Sequence, residues 1–126
     1  MNPENELSKI ILDSCYRIHS ALGPGLLESV YEEALVYELR KRGISCGQQV
    51  EIPVIYETVR LDAGFRADIV VEEKVIIELK SLDEIKPVHK KQLLTYLRLS
   101  RMKLGLLINF NVESMKNGIT RIVNNL

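Results

Sequence analysis

Two β-rich runs, Arg66-Ala67-Asp68-Ile69-Val70-Val71 and Val75-Ile76-Ile77-Glu78-Leu79-Lys80, stand three residues apart in the chain. β-Branched residues crowd both runs, and a gap as short as Glu72-Glu73-Lys74 reads as a hairpin between antiparallel strands. The hairpin argues against an all-helical fold, and it carries a register. With a three-residue loop, Val71 pairs with Val75, and counting back sets Asp68 directly opposite Glu78. Side-chain alternation then puts Lys80 on the same face as Glu78. Like charges opposed across a ladder are destabilising. Such a pair calls for a cation, a proton shared between the carboxyls, or a register slipped by one. A two-residue turn would separate the carboxylates, and an ordinary half-exposed strand could carry Glu78 and Lys80 outward as plain polar residues.

Helical periodicity precedes the hairpin. Leu7, Ile10, Ile11, Cys15, Ile18 and Leu22 recur at the spacing of an amphipathic helix from about Asn5 to Leu22, which Gly23-Pro24-Gly25 stops. A second helix is expected from about Leu26 to Arg42, with Leu27, Val30, Tyr31, Ala34, Leu35 and Leu39 on its apolar side and Gly43 as its stop. Residues 50–52, 54–56 and 59–61 read as short strands with a turn near Glu57. After the hairpin, Leu93, Leu94 and Leu97 mark a third helix over Pro87–Ser100. Leu104 to Phe110 reads as a buried strand, parallel to a neighbour because a helix precedes it. Ile119 to Val123 reads as an edge strand. The expected class is α/β, an α+β mixed sheet of four or more strands flanked by helices, in one domain over residues 1–126. Neither repeats nor linkers interrupt it.

Composition narrows the function classes. The 126 residues are 46% hydrophobic and 27% charged, so the chain can bury a core and is not a disordered polymer. Its apolar runs fall far short of the roughly 20 residues that span a membrane, and the acidic start is not a secretory signal. Cys15 and Cys46 make no metal-ligand pair by spacing, which fits a reduced, cytoplasmic protein. Seventeen basic residues balance seventeen acidic ones, yet residues 1–79 carry 8 Lys/Arg against 14 Asp/Glu, and residues 80–103 carry 7 against 2. The basic stretch is either a solvated helix face or a surface for phosphates.

Several residues outside the hairpin are candidates for chemistry. Glu28, in the first turn of the second helix, projects to the edge of its apolar stripe; it either complements the helix N-terminus or serves a site. Glu32 and Glu33 project outward as solvated charges. Gln92 and Tyr96, four apart on the third helix, share one flank, with His89 near them. His19 reads as a structural histidine. With two histidines and no Cys/His cluster, zinc is not expected. Cys15 reads as core, Cys46 shows no sign of activation, and no phosphate-cradling glycine loop is present.

In order, Glu28, Asp68, Glu78-Leu79-Lys80 and Gln92-x-x-x-Tyr96 resemble the PD-(D/E)xK nuclease superfamily, in its branch with a Gln-x-x-x-Tyr helix. Gly25-Leu26-Leu27-Glu28-Ser29-Val30-Tyr31 is similar to the signature of the GxxExxY family of that superfamily, as are the stretches from Ile18 to Glu28 and from Phe65 to Lys80. Ala67 stands where the superfamily's name has proline. The resemblance implies a restriction-endonuclease-like core and Mg²⁺, with Mn²⁺ as an alternative, held by Asp68, Glu78 and the Leu79 carbonyl, with Glu28 assisting. It implies Lys80 as the catalytic lysine and Gln92 and Tyr96 as support. Lys90, Lys91 and Arg98 would face substrate phosphates. The function expected is hydrolysis of phosphodiester bonds in nucleic acid, DNA or RNA, by a metal-activated water. The alternative is a non-catalytic nucleic-acid- or protein-binding module on the same fold. For so small a chain, gripping a duplex implies a homodimer or a partner protein.

Overall fold

The computed structural model describes residues 2–126, apart from the side chains of Asp62 and Ala63. In chain order it contains α1 (Pro3–Leu22), α2 (Glu28–Lys41), β1 (Cys46–Tyr56), β2 (Val59–Val71), β3 (Val75–Lys80), α3 (Pro87–Ser100), β4 (Leu104–Asn109), a 3-10 turn (Met115–Gly118) and β5 (Ile119–Val123). The five strands form one mixed sheet in the order β1-β2-β3-β4-β5. Only β3 and β4 pair in parallel, joined by the α3 crossover; the other neighbours are antiparallel.

Helices cover both faces of the centre of the sheet. Ile11, Cys15 and Ile18 of α1 and Tyr31, Leu35 and Leu39 of α2 pack with Ile69, Val71, Val75, Ile77, Leu79, Leu104, Leu106 and Ile108. Leu93 and Leu97 of α3 pack with Val70, Ile76 and Leu107. A strand covered on both faces has no solvent side to supply polar residues, and β3 and β4 are accordingly buried along nearly their whole length.

Several boundaries differ from the sequence expectation. Asn2 caps α1 by accepting the Asn5 N–H at 2.8 Å, and Pro3 starts the helix two residues early. Helix α2 begins at Glu28, not Leu26, so Leu27 (75% exposed) and Val30 (40%) lie outside the core while Val36 is buried. The runs 59–61 and 66–71 belong to one strand, β2, which pairs with β1 along its length, its register shifting between Ile52 and Val54. Beside that shift, a Cβ on Gly64 would collide with the Ile52 carbonyl oxygen; only glycine lets the strands approach there. With β3, by contrast, β2 pairs only from Ile69 to Val71.

Candidate active site

Ladder pairing of Val71 with Val75, Val70 with Ile76 and Ile69 with Ile77 gives the register expected of the three-residue loop. The next opposed residues are Asp68 and Glu78, where β2 parts from β3. Their side chains take over from the ladder: Glu78 Oε2 accepts the Asp68 N–H at 2.9 Å, and Asp68 Oδ2 accepts the Leu79 N–H at 2.8 Å. Each carboxylate thus satisfies a backbone donor of the opposite strand that would otherwise lack an acceptor. Glu78 is only 9% exposed. Burial first, and then the neighbouring Asp68 charge, push its carboxyl up to about 8, against the Asp68 N–H and the Lys80 charge. The slipped register is ruled out. Burial and the opposed Asp68 charge both favour the neutral form of Glu78, the direction that eases the like-charge conflict.

Glu28 reaches this neighbourhood through a pinned loop. Tyr31, fully buried and stacked on Phe110 at 4.3 Å, donates its hydroxyl to the Gly23 carbonyl at 2.6 Å and accepts the Leu26 N–H at 3.1 Å. Gly23 and Gly25 supply the positive φ angles (73° and 95°) that the loop requires. Ser81, just past Lys80, donates its hydroxyl to the Leu26 carbonyl at 2.7 Å and its N–H to Glu28 Oε2 at 3.2 Å. The loop is therefore tied to the end of β3. Glu28 itself is exposed, not half-buried at a stripe edge. Nor does it join the pair: among the described residues no three His, Cys, Asp or Glu side chains form a group able to hold a metal ion.

Lys80 is half-buried and makes no ion pair among the described residues. From α3, Tyr96 stacks on Phe65 at 3.6 Å. Its hydroxyl is pushed up by burial and then by the charges of Glu78 and Asp68, which places it within their field. Gln92 is exposed. At about 100° per residue, Lys90, Lys91 and Arg98 lie roughly 120–160° around the helix from Tyr96. All three are exposed, so this part of the basic stretch points away from the carboxylates.

Other residues acquire roles that their types alone did not disclose. Buried Asn109, at the end of an apolar strand, accepts the Leu82 and Asn111 N–H groups and donates to the Leu82 carbonyl; the loop after Lys80 is thereby fixed. A lone amide closing the apolar run 104–110 was the available signal. Glu32, expected to be solvated, is half-buried and accepts hydrogen bonds from Gln48 and Gln49. His89 accepts the Lys86 N–H, which caps α3, and His19 bonds the Val112 carbonyl. Both cysteines are free thiols, with burial pushing each one up.

Asp68 and Glu78, two carboxylates that repel when both are ionised, are donors of the type Mg²⁺ accepts, since it keeps several waters and takes one or two carboxylates. A mixed sheet with helices on both faces, opening at two opposed acids with a lysine two residues on, defines a restriction-endonuclease-like protein. The family model described as the PD-(D/E)XK nuclease superfamily matches residues 5–122. This chain belongs to that superfamily. Searches of curated proteins and of solved structures returned no match. Among the described residues, no helix is long and apolar enough to cross a membrane.

Proposed function

We propose that this chain is a single-domain, Mg²⁺-dependent nuclease of the GxxExxY family, hydrolysing phosphodiester bonds of nucleic acid in the cytoplasm. The observation that carries the reading is the fork between β2 and β3, where Asp68 and Glu78 are locked opposite each other with Lys80 on the Glu78 face. Asp68, Glu78 and the Leu79 carbonyl would hold Mg²⁺ or Mn²⁺. The bound cation supplies charge neutralisation at a phosphate and a water of lowered pKa. Lys80 would orient the attacking water, Glu28 would assist from the Ser81 end, and Tyr96 with Gln92 would steady the substrate side. Lys90, Lys91 and Arg98 act on more distant phosphates along the outer side of α3.

Lys80→Ala tests the reading, because it leaves both carboxylates in place. Cleavage of DNA and RNA substrates with Mg²⁺ or Mn²⁺ should fall on the order of 100-fold, as when other general acid–base groups are lost. The divalent-metal increase in melting temperature should survive in Lys80→Ala and vanish in Asp68→Asn. Full-rate cleavage by Lys80→Ala, or wild-type protein that binds nucleic acid without any metal-dependent cleavage, would overturn the proposal.

A further inference from the structure

Gln49 lies on β1 between Gln48, which pairs with Ile69, and Val50, which pairs with Ala67. That places it opposite Asp68. Its φ is +49°, a left-handed conformation that costs a residue other than glycine roughly 1–3 kcal/mol and is unusual inside a strand. From there its amide Nε2 donates to Glu32 Oε1 at 2.8 Å and to Asp68 Oδ1 at 3.3 Å. Both donors of the amide are thus directed at carboxylates. The second oxygen of Asp68 accepts the Leu79 N–H, so Asp68 is anchored at both oxygens. Glu32, on α2, also accepts the Gln48 amide at 3.0 Å through its other oxygen. Among the described residues neither Glu32 nor Asp68 is in an ion pair.

We infer that Gln49, aimed by Glu32, is a positioning residue that presets the Asp68 carboxylate for a divalent cation. This inference rests on the metal-site reading above. An acceptor on Glu32 requires the NH₂ end of the Gln49 amide to face it, and the same NH₂ then meets Asp68. A neutral amide keeps the two acids apart while holding Asp68 against rotation about its terminal bond. The conformational cost at Gln49 places this amide between α2 and β2. Groups that orient a metal ligand without touching the metal commonly change affinity 10–100-fold when lost.

Calorimetric titration with Mn²⁺ tests this on the full chain. Gln49→Asn tolerates a left-handed backbone, yet is one methylene short of spanning both carboxylates. Gln49→Gly relieves the backbone cost outright and removes the amide. Both should keep the wild-type melting temperature or exceed it, while the Mn²⁺ dissociation constant rises about 10-fold or more. Gln48→Asn, which alters a Glu32 contact but none to Asp68, should bind as wild type. Unchanged Mn²⁺ affinity in either Gln49 variant overturns the positioning role while leaving the metal site standing, provided Glu78→Gln weakens binding. If wild type takes up no Mn²⁺, or Glu78→Gln binds like wild type, the metal site itself fails and the role of Gln49 fails with it.

Discussion

Strand β2 has two halves in different surroundings. From Ile69 to Val71 it is paired on both edges, with β1 and β3, and all three residues are buried. From Val59 to Arg66 only β1 pairs with it, and Ile55, Tyr56, Val59 and Leu61 of that hairpin are exposed. Asp68 stands just before the doubly paired segment. Inside the sheet a backbone N–H finds a ladder carbonyl; at the fork the neighbouring strand has turned away, and a side chain must accept instead. The carboxylates are therefore fixed by the same requirement that keeps the sheet satisfied. A site at a fork inherits rigidity from the paired half and access from the open one.

Stability measurements can break or sharpen this contrast. Ile77, fully buried beside the fork, should cost about 2–5 kcal/mol as Ile77→Ala in urea denaturation, while the exposed Ile55→Ala stays within about 0.5 kcal/mol. Equal costs would mean that both halves belong equally to the core.

The next effect concerns pH. Burial and then the Asp68 charge push the Glu78 carboxyl up to about 8 in the folded protein, whereas in the unfolded chain it ionises in the ordinary carboxylate range. Between those limits the folded form binds more protons. Its contribution to stability is therefore full at low pH, declines as pH rises towards 8, and is flat beyond. The loss is on the order of a few kcal/mol. Glu78→Gln keeps an acceptor for the Asp68 N–H and should flatten this decline in metal-free buffer. Parallel pH profiles for wild type and Glu78→Gln would show that Glu78 is ionised in the fork.

A smaller effect belongs to the open half. Gly64→Ala forces a Cβ against the Ile52 carbonyl oxygen, which should cost about 1–3 kcal/mol. The Mn²⁺ response should be unchanged, because the strain lies on the hairpin beyond the fork. A lost response would show that the two halves are mechanically one.

Given a three-residue loop, which the ladder pairing of the structure selects, the sequence by itself determined the hairpin from Arg66 to Lys80 and the opposition of Asp68 and Glu78. These are local facts: strand period and loop length fix which residues face each other. It also determined the three helices and the parallel placement of the strand after α3, because their apolar spacing and order admit few alternatives. The tertiary structure alone decided that residues 59–71 form one strand, since its partner β1 lies elsewhere in the sequence. It alone brought Glu32 and Gln49 to Asp68, turned Glu28 out to Ser81, exposed Leu27 and Val30, and directed Lys90, Lys91 and Arg98 away from the acids. Each of these depends on where one element docks on another, and docking is settled by burial across the whole sheet rather than by the spacing of residues along the chain.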